Sequence, residues 1–191
     1  MDRKAIEAAR IEFDRASQSI DDLASSNSYA DVERHWSAFL TSAGRIYSKL
    51  EQGSKKHGNS SAWWGRKLGE RRADPLLRYL WHSRNADEHT IEAVTLQHPG
   101  TINEVVPTIA ETENFHRQMK SQPLPYAALG VFEIVNPHVQ LVDVIDCGVK
   151  YAVPHEHLGQ QISAPHPNNI GLLALAYLSE MLSHAENLGT E

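Results

Sequence analysis

Asp74–His89, DPLLRYLWHSRNADEH, is the stretch on which the reading of this chain turns. Asp74 suits a helix N-cap, and Pro75 suits the first helical position, where the missing N–H had no intrahelical partner anyway. Leu76, Leu77, Leu80 and Trp81 recur at helical spacing and give the helix one apolar face. Near its end come Arg84, Asn85 and His89: a permanent cation, an amide, and the side chain that titrates near neutral pH. Asn85 and His89 are i and i+4 and share a face. Arg84 and His89 are five apart, about 140° round at about 100° per residue, so they do not lie on one stripe. They converge only if the helix bends near Asp87 or the long arginine reaches round. Glu88, four residues after Arg84, offers that guanidinium an ion pair.

Working outward, the segment before this helix reads as helix throughout. Ile6, Ala9, Phe13, Ala16, Ile20 and Leu23 alternate three and four apart over about residues 3–24. A second stripe, Val32, Trp36, Phe39, Ala43, Ile46 and Leu50, runs over about 29–52, with Gly53 as its C′ stop. The four-residue loop SSNS (25–28) makes the pair an antiparallel hairpin. After the polar loop GSKKHGNSS (53–61), residues 62–72 predict a shorter helix with Trp63 or Trp64 and Leu68 facing in. Residues 97–125 have weak periodicity, with a short strand at 103–106 and a short helix at 111–119. Runs 129–135, 139–145 and 149–153, rich in β-branched residues, predict short antiparallel strands joined by turns at Asn136-Pro137 and Asp146-Cys147-Gly148. Pro154–Asn169 reads as loop, and 169–188 as a last helix that returns to the bundle. The predicted fold is mainly α, a four- to five-helix bundle with a small antiparallel β element at about 129–153. Its organisation is a helical core at 1–95, an irregular connection at 96–127, and the β element with the closing helix at 128–191.

Composition places the chain among ordinary globular proteins: of 191 residues, 41% are hydrophobic and 22% charged. The single Cys147 excludes an intramolecular disulfide and fits a reducing, cytoplasmic setting. MDRKAIEAARIEFDR lacks an apolar core and is not read as a signal peptide, and no run suits a membrane span. The net charge of −6 is uneven. Between Arg45 and Arg84 ten Lys/Arg face three acids, a local +7, which leaves −13 elsewhere. Lys55, Lys56, Arg66, Lys67, Arg71, Arg72 and Arg78 of this block are candidate contacts to a polyanion such as RNA, or partners of acidic neighbours in the fold.

Cleavage of RNA by its own 2′-hydroxyl needs few parts. One group takes the 2′ proton, one stabilises charge on the phosphorane, and one protonates the leaving 5′ oxygen. Histidine suits the first or last role and arginine the middle one, while asparagine orients either. The reading calls for no metal and no cofactor. One such histidine per chain points to a second copy across a two-fold axis as source of the other proton-transfer group.

Arginine, asparagine, three residues and histidine near the end of a bundle helix resembles the signature of the HEPN superfamily, Arg followed by four to six residues and His. Of eleven arginines and eleven histidines, only Arg84 and His89 meet that spacing. The resemblance covers mainly residues 3–93. It implies an α-helical homodimer whose paired motifs form a composite, metal-independent endoribonuclease site, of the kind found in toxins and phage defence, where a neutralising antitoxin protein is a possible partner. Carried over, Arg84 stabilises the phosphate, Asn85 orients and His89 transfers the proton. Ile91 stands where antitoxin-modified members carry tyrosine, so nucleotidylation is not expected. The superfamily also holds members that only dimerise or bind nucleotides. A non-catalytic binding or scaffold module is therefore the second expectation, with Arg84 paired to Glu88 and His89 capping the helix.

Other candidates are weaker. His155 and His157 flank Glu156, with His138 and His166 nearby, but no carboxylate spacing defines a metal site. His35, His57 and His82 read as isolated, Trp63 and Trp64 are base-stacking candidates or core, and Asp143 and Asp146 have no partner motif.

Overall fold

The computed structural model describes residues 1–55, 58–89, 93–105, 131–135 and 138–189. Helices dominate: α1 (Arg3–Ala24), α2 (Tyr29–Ser54), α3 (Gly58–Ala73), α4 (Pro75–His89) and α5 (Pro167–Gly189). Between α4 and α5 lie short strands: β1 (Thr95–His98), β2 (Thr101–Val105), β3 (Val131–Val135), β4 (His138–Leu141), β5 (Val144–Asp146), β6 (Val149–Tyr151), β7 (Glu156–His157) and β8 (Gln160–Gln161). The fold is thus mainly α, with small antiparallel strand pairs before the last helix. Two compact units divide the chain, residues 1–96 with 139–191, and residues 97–138.

In the first unit, the predicted stripes become the core. Ile6, Ala9, Ala16, Ile20 and Leu23 of α1 are buried with Trp36, Phe39, Ala43, Ile46 and Leu50 of α2. Burying such side chains stabilises by about 1.5–3 kcal/mol each, before the entropy of ordering them is counted. The hairpin is antiparallel, since the Asp2 N–H at the start of α1 donates to the Gly53 carbonyl at the end of α2 at 3.2 Å. Helix α5 lies against α1, and closely: a Cβ on Gly171 would meet Ile20 Cδ1 at only 2.3 Å. Ile170, Ala174, Leu178, Met181 and Leu182 complete that seam.

Helix α4 is fastened at three places. Asp74 caps it, accepting from the Leu77 N–H at 2.9 Å. The same carboxylate accepts from His157 Nδ1 at 3.0 Å and from the Leu158 N–H at 2.7 Å. Leu158 has a φ of +49°, and Gly159 follows at +78°. That is a two-residue turn of the mirror-image type. The hydrogen bond to Asp74 helps hold a leucine in this disfavoured conformation. Midway along the helix, the buried Tyr79 hydroxyl donates to the Val142 carbonyl at 2.7 Å. Third, β5 and β6 pack on the last turns of α4. They pair Val144 with Tyr151 and Asp146 with Val149 around Cys147 and Gly148, whose φ values of +50° and +77° make a second turn of the same type.

The second unit contains the β2–β3 ladder, antiparallel with Thr101 opposite Val135 and Val105 opposite Val131. The rings of His98 and His138 stack there with centroids 4.8 Å apart.

Several expectations need correction. Gly53 does not stop α2, which runs on to Ser54. The glycine serves close packing instead, because a Cβ there would meet Ala5 Cβ at 2.5 Å. Helix α3 starts at Gly58 rather than 62, and both Trp63 and Trp64 are buried. Pro154–Asn169 is not all loop, since it holds the β7–β8 hairpin. The helix expected at 111–119, the Asn136-Pro137 turn, Lys56 and His57 lie outside the described residues. Among the described residues, no helix is long and apolar enough to cross a membrane.

Candidate functional site

The last two turns of α4 carry the site. Counting about 100° per residue from His82, Asn85 lies at about 300° and His89 at about 340°, so the three share one stripe. Arg84 lies about 200° round, toward α2. A Cβ on Gly44 would stand 3.2 Å from Arg84 Nε and 3.3 Å from its Cδ, so the bare glycine makes room for the arginine stem. A pocket of about 20 Å³, bounded in part by Gly44, Tyr47, Trp81 and Arg84, adjoins that stem. It has room for about one water molecule. Arg84 Nε is buried without a hydrogen-bond partner among the described residues.

Beyond its stem, the guanidinium turns back. Arg84 Nη2 lies 2.5 Å from Glu88 Oε2, and each side chain is 28% exposed. Arg84 Nη1 donates to Asn85 Oδ1 at 3.4 Å, a long bond. Asn85 Nδ2 donates to Asp146 Oδ2 at 2.9 Å. The same carboxylate oxygen accepts from His82 Nδ1 at 2.7 Å. The His82 ring lies flat on Tyr151, with centroids 3.5 Å apart and planes within 9°. A continuous polar chain therefore runs Glu88, Arg84, Asn85, Asp146, His82. The hydrogen bond from His82, then that from Asn85, holds the Asp146 carboxyl below its usual range. The exposed Cys147 thiol beside it is pushed up by its hydrogen bond to that carboxylate.

His89 is exposed at the helix end, and no hydrogen bond or ion pair holds it among the described residues. The expected helix-capping role is absent there. The predicted trio therefore separates into two parts. Asn85 ties Arg84 into the polar chain, while His89 stands free on the same stripe as His82.

His82 and Asp146 were missed in the sequence, where one read as isolated and the other as unpartnered. The i, i+3, i+7 spacing of His82, Asn85 and His89 was there to be found. Asp146 is 64 residues away from His82 and reaches it only through the β5–β6 turn, which spacing does not reveal.

The basic block is divided in its use. Arg66, Arg72 and Arg78 are exposed. Lys55 pairs with Glu51 at 3.4 Å. Lys67 pairs with Glu70 at 2.8 Å and faces the Tyr177 ring. The Arg71 guanidinium lies 3.6 Å from the Trp81 ring centroid and 5.0 Å from that of Tyr47, and burial pulls its pKa down. Lys67 and Arg71 are thus engaged in holding α3 to its neighbours. Of the histidines weighed for a metal, His157 is committed to Asp74. Among the described residues, no three His, Cys, Asp or Glu side chains come together in a group able to hold a metal ion. No family model, curated protein or solved structure matches this chain.

Proposed function

We propose that this protein is a metal-independent endoribonuclease of the HEPN type, cutting RNA by attack of the substrate's 2′-hydroxyl at the end of α4, as a homodimer. The observation that carries this reading is the state of the α4 end. His89 is exposed and unengaged, five residues after an arginine whose stem rests on Gly44 and whose guanidinium is tied through Asn85 to Asp146. A fixed cation and a free imidazole within the last turns of one helix are the kinds of group that phosphoryl chemistry without a metal requires. In this reading Arg84 steadies the charge on the phosphorane, Asn85 orients it and His89 moves a proton. Arg66, Arg72 and Arg78 meet the RNA backbone, so binding weakens as salt rises.

A second reading rests on Glu88. At 2.5 Å it neutralises the guanidinium, as a non-catalytic binding or scaffold module would tolerate. One experiment separates the two. Purified protein is incubated with single-stranded RNA in EDTA, and the ends are examined. Catalysis predicts 2′,3′-cyclic phosphate and 5′-hydroxyl products. His89→Ala then lowers the rate about 10²–10⁴-fold, the usual effect of removing a positioned acid or base, without lowering Tm. Equal background cleavage by both proteins leaves the binding module.

A further inference from the structure

The same stripe of α4 carries a second imidazole, and it is built like a proton-transfer group. An ionised carboxylate only accepts hydrogen bonds, so Asp146 at 2.7 Å fixes the proton of His82 on Nδ1. The lone pair is then on Nε2, which has no partner among the described residues. The stack on Tyr151 fixes the plane of the ring, so its tautomer and its direction are both set. The His82 side chain is 22% exposed and that of Asp146 15%, so the pair is shielded without being sealed. Beside it opens a groove of about 520 Å³, lined by Arg78, Tyr79, Lys150, Tyr151, His155 and Glu156 among others. Tyr151 is common to the groove and to the His82 stack. Arg78, one turn before His82, and His155 offer polar contacts for a neighbouring phosphate of the strand there, and Tyr151 offers ring surface.

Spacing along the helix adds to this. His82 and His89 are seven residues apart, hence about 10.5 Å along the axis on one face. Cleavage needs its base and its acid on opposite sides of an in-line O–P–O arrangement. A hydrogen bond of about 2.7 Å at each end fills the better part of that span.

We propose that His82, oriented by Asp146, is a second proton-transfer residue of this site, acting with His89 of the same chain on a single-stranded RNA phosphodiester. Neutral His82 takes the 2′-hydroxyl proton on Nε2 as the O2′–P bond forms. His89 in its imidazolium form gives a proton to O5′ as the P–O5′ bond breaks. The products are a 2′,3′-cyclic phosphate and a 5′-hydroxyl, and water returns both rings to their starting states. This rests on the ribonuclease reading above. It removes one reason for a composite site, because a single chain already holds both histidines.

The test uses the full chain and two substrates, a single-stranded RNA and uridine 3′-(4-nitrophenyl phosphate), whose leaving group departs without a proton. His82→Gln keeps an N–H for Asp146 but cannot transfer a proton. The expected result is a loss of about 10²-fold or more on both substrates with Tm unchanged. His89→Ala should fail on RNA but keep most of its rate on the activated ester. Co-expressing the two variants should restore nothing, since neither chain then has both rings. His82→Gln cutting RNA at the wild-type rate while His89→Ala is dead overturns this inference and leaves the ribonuclease reading intact. Restoration on co-expression overturns the same-chain pairing, and no cleavage dependent on either histidine overturns both readings. Should His82→Gln melt lower, His82→Ala with added imidazole decides the matter: rescue supports proton transfer, and no rescue overturns it.

Discussion

Helix α4 has one Asp–His pair at its N-terminal end and another at its middle, and the two are put to different uses. At the N-terminal end Asp74 and His157 meet at 3.0 Å with side chains only 6% and 9% exposed. At the middle of the helix Asp146 and His82 meet at 2.7 Å with 15% and 22% exposed. The first carboxylate also takes two backbone N–H groups, Leu77 and Leu158, so it has a cap and a turn to hold. The second takes one side-chain amide and the exposed Cys147 thiol, no backbone N–H, and its histidine's far nitrogen has no partner among the described residues. The same pair of side chains is thus mortar where it is dry and its carboxylate holds backbone N–H groups. It becomes a candidate for chemistry where it is partly open and shares a helix face with a free histidine.

The sharpest way to break this contrast is to remove each carboxylate in turn. Asp74→Ala deletes an N-cap, a loss of about 1 kcal/mol. It also strands the buried His157 nitrogen and the half-buried Leu158 N–H, at about 1–3 kcal/mol for a buried unpaired group. The sum, about 3 kcal/mol, should lower Tm by roughly 6–12 °C for a chain of this size. Asp146→Ala exposes its former partners to water and should move Tm far less, while cleavage falls. Similar melting of both variants would mean that the two pairs do the same structural work.

The N-terminal end of α4 was legible in the sequence, and so was part of its polar stripe. Asp74 followed by Pro75 announces a helix start by purely local chemistry, and the cap is where it was expected. The apolar stripes of α1, α2 and α5 announce a bundle because a 3.6-residue period needs nothing beyond neighbours in sequence. Asp74 meeting His157, and Asp146 meeting His82, were illegible because each pair is brought together by a hairpin tip from beyond residue 143. The turn at Asp146-Cys147-Gly148 was legible and forms as expected, but nothing local says which helix its tip meets. The Leu158-Gly159 turn was not legible, since its first residue is a leucine at positive φ and leucine carries no turn signal. Gly53 shows the reverse error. A glycine near a predicted helix end was read as a stop, when its role is to let α1 approach.

Acid separates the pairs next. Burial works to raise the Asp74 carboxyl, but the N–H groups of Leu158 and Leu77, then His157, outweigh it and the net shift is downward. Asp146 is lowered too, first by His82 and then by Asn85. A carboxyl lowered in the folded state adds stability that is fully present above its unfolded value, about 3.9. That stability is lost as pH falls through the folded value below it. Wild-type protein should therefore lose Tm on acidification below about pH 4. Asp74→Asn, already destabilised at neutral pH, should show a flatter acid limb, and Asp146→Asn should alter that limb less because its site is wetter. Thermal melts from pH 7 to pH 3 measure both. An acid limb left unchanged by Asp74→Asn would remove Asp74 from its place as the dry anchor.

The smallest effect expected is also the most selective, and it concerns Gly44 on α2. Glycine inside a helix is about 1 kcal/mol worse than alanine, so Gly44→Ala starts with a gain in stability. The new Cβ would stand 3.2 Å from Arg84 Nε and 3.3 Å from its Cδ. Those contacts are tight, and the arginine stem must give by a few tenths of an ångström. Stem and guanidinium move together, which stretches an Asn85 contact that is already 3.4 Å long. A misplacement of about 1 Å at a positioned group can cost 10²-fold in rate, so this smaller shift should cost several-fold. Tm should hold or rise by a few degrees. Gly53→Ala is the control, since its Cβ would meet Ala5 Cβ at 2.5 Å and so must push α1 and α2 apart. It should lower Tm and leave cleavage per folded molecule unchanged. Slower cleavage in Gly44→Ala without loss of Tm would show that the bare backbone of α2 exists to seat Arg84. Full activity in Gly44→Ala would mean that the seat is incidental and that the cation acting on phosphate is another residue.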